Sequence, residues 1–230
     1  MELTGANPDA IRMGNLLPWR LRRAWQPAAL SGGMFALHHH FWQSRALRWV
    51  RMGWGNEGWS ADTAYLEAVC NWAGQVKGPI LECGSGLTTL LLGLIAGDQV
   101  TTLEHLPEWK NRVQQTAAKY SVPVNLFTAP LVDYGGFHWY SLPPLLPAGF
   151  ELVICDGPPS ATVGGRYGLL PVAGSLLAQN AVILMDDVER SDEQAIIARW
   201  KREFGVRSEE HAISEGAYAV VRLAKLPKSA

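Results

Sequence analysis

From Ser60 onward, short apolar runs alternate with longer segments in which apolar residues recur every three or four positions. Short apolar runs bounded by turn residues are typical of buried strands, and the longer pattern is typical of helices. The predicted strands are 79–83, 99–104, 124–128, 151–155, 181–185 and 218–223. The predicted helices are 60–72, 88–96, 107–120, 169–178 and 191–204.

This alternation predicts an α/β fold. Strands separated by helix-length segments favour parallel pairing with right-handed crossovers, which places helices on both faces of a sheet. We therefore expect residues 60–230 to form one Rossmann-like, doubly wound domain with a mostly parallel sheet.

The first 59 residues differ in composition from the rest of the chain. They contain seven arginines against three acidic residues, and six of the ten tryptophans. We expect a separate, mainly helical extension with helices within 16–30 and 35–52. Because Trp and Arg are favoured in contacts, the extension is predicted to act as a lid over a substrate pocket or as a subunit interface of a homo-oligomer. Simple packing against the main domain is the alternative.

Overall composition limits the classes of partner. Hydrophobic residues make up 48% and charged residues 18% of the chain, which is typical of a folded globular protein. The net charge of −1 does not predict the basic face that nucleic acids require. Neither a signal peptide nor an apolar run long enough to cross a bilayer is present in the sequence given. We therefore expect a cytoplasmic protein with neither nucleic acid nor a membrane as its partner.

The most informative motif is Glu82-Cys83-Gly84-Ser85-Gly86, which lies between a predicted strand and a predicted helix. Glycine in such a turn tolerates positive φ and allows a ligand to approach the backbone. Glu104 ends the next predicted strand about 20 residues later, where an acidic side chain can bind both hydroxyls of an adenosine ribose.

Glu82 separates two classes of nucleotide cofactor. A carboxylate ahead of the glycine turn repels the pyrophosphate of a dinucleotide but attracts the sulfonium and ammonium of S-adenosylmethionine. The third glycine of a dinucleotide-binding motif is also replaced, by Thr89. The pattern favours S-adenosylmethionine, and an NAD-dependent oxidoreductase is the alternative.

These residues resemble those of class I S-adenosylmethionine-dependent methyltransferases. The resemblance covers residues 60–223 and implies a seven-stranded sheet whose last strand, 218–223 here, is antiparallel. It also implies a set of cofactor-binding residues, in which His105 follows the ribose-binding acid, Ala129 lies against the adenine and Asp156 approaches the methionine end. The set is Glu82, Gly84, Ser85, Gly86, Thr88, Thr89, Glu104, His105, Ala129 and Asp156.

Three aspartates follow two strongly apolar strands. Asp156, Asp186 and Asp187 are predicted to meet at the carboxyl end of the sheet, where oxygen ligands of this kind suit Mg²⁺. Their spacing resembles the metal ligands of catechol O-methyltransferase-like enzymes, although Pro159 stands where that family has a lysine base. Hydrogen bonding at the strand end and capping of the following turn are the alternatives for Asp186 and Asp187.

Catalytic residues are expected at the same edge. Asp156 and His138 are candidate bases, and Arg166 is a candidate for binding an acidic acceptor. The segments 156–159 and 164–167 resemble those of sugar O-methyltransferases. The resemblance implies methyl transfer to a hydroxyl of a small-molecule or sugar-like acceptor, and a non-catalytic binding or scaffold protein with the same fold is the alternative.

Overall fold

The computed structural model of this chain describes residues 19–39, 44–55 and 60–223. The chain divides into two compact units, Met1–Glu67 and Ala68–Ala230. The sequence predicted a division after residue 59, and the structure places it within the helix Thr63–Ala73. No helix among the described residues has the length and apolar character needed to cross a membrane.

In residues 19–39 and 44–55, the first unit forms two antiparallel helices, α1 (Trp19–His38) and α2 (Ser44–Trp54). Glycines allow them to pack closely: a Cβ built on Gly33 lies 2.5 Å from Val50, and one on Gly53 lies 2.3 Å from the backbone of Leu30. Helical structure in this segment was expected. However, α1 continues past residue 30. The two central glycines of α1 have a weak helix propensity, and the close packing of α2 against α1 outweighs it.

The described residues of the second unit form nine strands and helices that connect them. The strands are β1 (Ile80–Cys83), β2 (Val100–Glu104), β3 (Leu126–Thr128), β4 (Leu131–Asp133), β5 (His138–Tyr140), β6 (Phe150–Cys155), β7 (Leu177–Met185), β8 (Arg207–Ile213) and β9 (Gly216–Arg222). The remaining α-helices are α3 (Thr63–Ala73), α4 (Leu87–Ala96), α5 (Pro107–Lys119), α6 (Leu169–Ala173) and α7 (Ser191–Phe204).

Seven of the strands form one sheet in the order β3-β2-β1-β6-β7-β9-β8. The first five in this order pair in parallel, and β9 is antiparallel to both β7 and β8. Central residues such as Leu81, Val153 and Ile183 are completely buried, as expected for strands covered on both faces. The structure confirms the predicted Rossmann-like, doubly wound sheet with an antiparallel last strand.

The structure differs from the sequence prediction at several local points. Strand β8 was not predicted, because its largely polar sequence lies at the sheet edge with one face in solvent. Helix α6 ends at Ala173, and β7 begins at Leu177 rather than at residue 181. Asp62, rather than Ser60, caps α3, since its Oδ1 accepts a hydrogen bond from Ala64 N at 2.7 Å.

The connection between β3 and β6 contains a β-hairpin. Strands β4 and β5 pair antiparallel with Asp133 opposite His138, and Gly135 and Gly136 at the turn both adopt positive φ. His138 N donates to Val163 O at 2.8 Å. The hairpin is therefore joined to the loop that follows β6 at the carboxyl end of the sheet.

Candidate active site

The glycine bend connects β1 to α4 and lies against the end of β6. Gly84 has φ of +90°, and a Cβ built on it lies 3.0 Å from Gly157 N. Gly86 has an extended φ of −177°, and no atom lies within 4 Å of a Cβ built there. Gly84 therefore closes the bend against Gly157, whereas Gly86 leaves open space at the start of the helix.

Glu82 lies beneath this bend and is completely buried. Its carboxylate accepts hydrogen bonds from the hydroxyls of Thr88 at 2.5 Å, Thr89 at 2.7 Å and Thr102 at 2.7 Å. Burial raises the pKa of Glu82 to about 7, against the lowering effect of these bonds. The sequence predicted that Glu82 lies next to the cofactor. In the structure its oxygens face threonine hydroxyls instead, so Glu82 can act on the cofactor site through its electric field but not through direct contact.

Glu104 ends β2 beside the same bend and is held by several donors. Ser85 donates to its Oε2 through N at 2.9 Å and Oγ at 2.8 Å, and Leu106 N donates to Oε1 at 2.8 Å. The imidazole Nδ1 of His105 lies 3.1 Å from Oε1. Burial opposes ionisation, yet these neighbours outweigh it and lower the pKa of Glu104. Glu104 is a fixed carboxylate at neutral pH.

The other predicted cofactor residues surround Glu104 and the bend. Ala129 is completely buried just after β3, and its N–H donates to Glu104 O at 2.7 Å. Thr89 Oγ1 accepts from Gly86 N at 2.9 Å, while donating to Glu82. The structure thus brings the predicted set together at the carboxyl ends of β1, β2, β3 and β6, and its roles in binding stay a prediction.

Trp109 on α5 contributes to the bend and was not found by sequence reasoning. Its indole N–H donates to the carbonyl oxygen of Ser85, and the guanidinium of Arg112 lies 4.6 Å from its ring centroid. A tryptophan on an amphipathic helix carries no sequence signal for this contact. Thr102 had a detectable signal, because a hydroxyl within a buried strand needs a partner.

Arg166 is the centre of the second cluster, at the ends of β6 and β7. Its side chain is 2% exposed. One terminal nitrogen lies 3.2 Å from Asp156 Oδ1 and 2.8 Å from Asp187 Oδ2, and also donates to Asp156 O at 2.9 Å. The other terminal nitrogen donates to the carbonyl oxygen of Asp186. Burial opposes the charge of Arg166, but Asp156 and Asp187 outweigh it and raise its pKa above the ordinary value.

The three aspartates of this cluster are not equivalent. Burial raises the pKa of Asp156, while Arg166 lowers it and Asp187 raises it. Burial raises the pKa of Asp186 well above its usual range, and Asp156 and Asp187 add to this effect. Asp187 has φ of +60° and a second ion pair, at 2.7 Å, with Arg190. Asp186 is therefore favoured as the neutral acid.

This arrangement does not fit the expected Mg²⁺ site. The aspartates do converge, but Arg166 already supplies a buried positive charge to Asp156 and Asp187. Within residues 19–39, 44–55 and 60–223, no group of three or more His, Cys, Asp or Glu side chains is placed to hold a metal ion. A divalent ion beside a guanidinium would be repelled by it, so the metal role assigned to Asp156, Asp186 and Asp187 is corrected to ion pairing and hydrogen bonding.

The expected environment of Arg166 is also corrected. The sequence indicated a loop residue available to an acidic acceptor, but its terminal nitrogens are occupied by the chain's own oxygens. Gly164 and Gly165, just before Arg166, both adopt positive φ. His138 faces Asp133 across the hairpin, and its role as a base stays a prediction.

This chain resembles known proteins in structure rather than in sequence. No protein-family model matches this chain. No curated protein matches it either.

Solved structures match the architecture along nearly the whole chain. An S-adenosylhomocysteine-bound methyltransferase, PaMTH1 of Podospora anserina, has a TM-score of 0.58 and 16% identity over 93% of this chain and 100% of its own. This is the fold of class I methyltransferases. The same methyltransferase fold occurs in cofactor-bound Rv0187 from MTB, with a TM-score of 0.53 and 16% identity over 97% of this chain and 99% of that one. It also occurs in a putative caffeoyl-CoA O-methyltransferase from Staphylococcus aureus, with a TM-score of 0.57 and 15% identity over 83% of this chain and 97% of that one.

Proposed function

We propose that this protein is an S-adenosylmethionine-dependent methyltransferase that methylates a hydroxyl oxygen of a small-molecule or sugar-like acceptor. The observation that carries the proposal is the ionised Glu104 beside the glycine bend, at the carboxyl end of a methyltransferase sheet. Ligands of open parallel sheets bind at this end. S-adenosylhomocysteine or a cofactor is bound in two of the similar structures, which supports the same use of the site here.

Each part of the cofactor has a matching group at the site. S-adenosylmethionine supplies an electrophilic methyl group on a positively charged sulfur. Ser85 and Leu106 donate three hydrogen bonds to Glu104, which leaves Oε1, the oxygen with a single backbone donor, to accept a bond from a ribose hydroxyl. The open space at Gly86 lets the cofactor approach the backbone, and the buried Glu82 favours its positive charge from below.

Asp156 is the group best placed to accept a proton from the acceptor hydroxyl. It lies at the end of β6, its side chain is 31% exposed, and its raised pKa makes it a stronger base than an ordinary aspartate. Arg166 fixes its position through the backbone and the carboxylate. No step requires a metal ion, and Arg166 serves to hold the carboxylates in place.

The exposed apolar side chains of the β4–β5 hairpin favour an acceptor that is flat and has an apolar face. Tyr134 is 39% exposed, and its ring stacks on Phe137 with 5.7 Å between centroids and 11° between planes. Val163, joined to His138 by a backbone bond, is 56% exposed. Aromatic and aliphatic surfaces of this kind pack against the C–H face of a sugar or against a planar ring.

Calorimetric titration with S-adenosylhomocysteine tests the cofactor. We expect binding that Glu104→Gln weakens about tenfold or more, since a charge-assisted bond to the ribose is lost. Glu108→Gln, an exposed carboxylate on the next helix, is the matched control and leaves affinity unchanged. Absence of binding at hundreds of micromolar, or binding of NAD instead, would overturn the proposal.

Transfer of an isotope-labelled methyl group to a panel of hydroxylated sugars and aromatic compounds tests the reaction. We expect a labelled methyl ether and the same rate after exhaustive treatment with a chelator. Cofactor binding without transfer to any hydroxyl would favour the non-catalytic alternative. Loss of transfer on chelation, restored by Mg²⁺, would contradict the role of Arg166.

A further inference from the structure

The net charge of −1 conceals a strong asymmetry along the chain. Residues 10–56 contain seven arginines and no acidic residue, a balance of +7 against −8 for the rest of the chain. Charge asymmetry between parts of a chain is typical of contact with a polyanionic surface. The described part of this stretch comprises α1 and α2.

The exposed face of α2 combines basic and apolar side chains at helical spacing. Four exposed side chains follow one another along α2 at intervals of three, one and three residues: Arg45, Arg48, Trp49 and Met52. Trp49 is 55% and Met52 54% exposed. The opposite face is buried through Leu47 and Val50, so the stripe is not part of the packing between the two helices.

Helix α1 extends this surface. Trp25 and Phe35, ten residues apart in sequence and about 80° apart around the helix, are 65% and 66% exposed. Between them lies Gly32, where a built Cβ is 3.4 Å from the Trp49 ring, so the exposed faces of the two helices meet at Gly32 and Trp49. Four of the nine large hydrophobic side chains exposed in the described residues belong to this hairpin.

We propose that this face of the α1–α2 hairpin binds the surface of an anionic lipid bilayer. Tryptophan and phenylalanine enter the headgroup boundary, and arginine pairs with lipid phosphates while its aliphatic stem stays on the apolar side. Each basic residue near an anionic leaflet adds to the attraction. The expectation that no membrane partner exists came from the lack of a signal peptide and of a spanning segment, and neither measures a surface contact.

Other occupants fit this face less well. Two copies meeting through the same face would bring two acid-free, arginine-rich surfaces together, which like charges oppose. Contact with the acidic part of another copy would be heterologous and would build rings or open chains rather than a dimer. Duplex nucleic acid would use the arginines, but its phosphate backbone offers no partner to a methionine and three exposed aromatic side chains. Single-stranded RNA stacks its bases on aromatic rings, and the RNA oligonucleotide in the test below covers that occupant.

Vesicle sedimentation with the full chain tests the proposal. We expect at least about tenfold stronger association with vesicles of phosphatidylcholine and phosphatidylglycerol than with phosphatidylcholine alone, weakening as salt is added. Arg45→Glu with Arg48→Glu should abolish the preference for anionic lipid. Trp25→Ser with Trp49→Ser should weaken binding to the same vesicles about tenfold or more, because buried apolar area is lost.

Matched controls lie on the second unit. Arg202→Glu and Leu145→Ser change side chains that are 70% and 92% exposed, and should leave vesicle binding unchanged. Unaltered circular dichroism shows that each hairpin variant still folds. Equal binding to neutral and anionic vesicles would overturn the proposal. It would also be overturned if the protein bound no vesicles and formed a dimer that Trp49→Ser dissociates, or if it bound an RNA oligonucleotide more tightly than anionic vesicles. None of these measurements depends on methyl transfer, so they stand apart from the proposed enzymatic function.

Discussion

Glu82 is a residue whose ionisation the fold opposes. Its side chain is completely buried, and burial raises its pKa from 4.5 to about 7. In the pH range between these values the folded protein holds a proton that the unfolded chain has released. Stability therefore falls as pH rises through this range, and the loss is complete above about pH 7.

We expect Glu82→Gln to remove this pH dependence. The stability of the variant relative to the natural protein should increase between pH 4.5 and 8 by up to about 3 kcal/mol, because the amide carries no charge. Urea unfolding across this range measures the difference, with the exposed Glu210→Gln as the control. A difference that does not change with pH would mean that Glu82 is already ionised in the folded protein at low pH.

The same residue predicts a difference between cofactor and product. S-adenosylmethionine carries a sulfonium charge that S-adenosylhomocysteine lacks, so its affinity should rise more steeply as Glu82 ionises near pH 7. We expect the affinity ratio of the two ligands to increase severalfold between pH 6 and 8, and to stay constant in Glu82→Gln. Calorimetry at several pH values measures this ratio. An unchanged ratio in the natural protein would remove Glu82 from cofactor selection.

Arg166 allows a test of how the charges of Asp156 and Asp187 are compensated at the carboxyl ends of β6 and β7. Arg166→Ala leaves Asp156 and Asp187 without their shared cation, and we expect a loss of roughly 3 kcal/mol in unfolding free energy. Millimolar Mg²⁺ should restore part of that stability in the variant and have no effect on the natural protein. Thermal unfolding measures both effects, and the exposed Arg202→Ala is the control. Equal stabilisation of the natural protein by Mg²⁺ would contradict the assignment.

At the scale of the element, the bend between β1 and α4 contains two glycines with different tasks. Gly84 needs a positive φ and a close approach to Gly157, whereas Gly86 is extended with open space around it. Gly84→Ala should therefore destabilise the fold by about 1–3 kcal/mol. Gly86→Ala should leave stability within about 0.5 kcal/mol.

Cofactor binding should show the complementary effect. We expect Gly86→Ala to weaken S-adenosylhomocysteine binding about tenfold, because its methyl group occupies the space through which the ligand approaches. Chemical unfolding and calorimetry on the same preparations separate the two glycines. Full affinity in Gly86→Ala would show that the ligand passes elsewhere.

The elements were predicted with unequal success, for reasons visible in particular strands. Buried strands such as β1 and β6 have near-continuous apolar sequences, so they were found. Strand β8 begins with a run of polar residues, 207–211, and lies at the edge, where partner hydrogen bonds rather than burial define it. The short β4–β5 hairpin likewise depends on its turn and on the bond from His138 to Val163.

At the scale of the whole molecule, the two units should respond to different ligands. The predicted cofactor residues all belong to Ala68–Ala230, and the basic, aromatic face belongs to Met1–Glu67. We expect S-adenosylhomocysteine to slow hydrogen exchange around the bend and at the end of β2, and to leave α1 and α2 unchanged. Anionic vesicles should produce the opposite pattern. Protection of α1 and α2 by the cofactor would favour the lid role predicted from the sequence.

Local sequence determined those features that depend on short-range chemistry. Apolar periodicity specified the alternating strands and helices. The glycine bend with Glu82 and Glu104 predicted a class of cofactor, since strand, turn and acid lie close together in the chain. Tertiary structure decided how charges are compensated. Arg166 is 10 residues from Asp156 and 21 residues from Asp187 in sequence, and only the parallel pairing of β6 with β7 brings the three within hydrogen-bond distance. Ionisation and metal affinity depend on such distances and on burial, which no single segment contains.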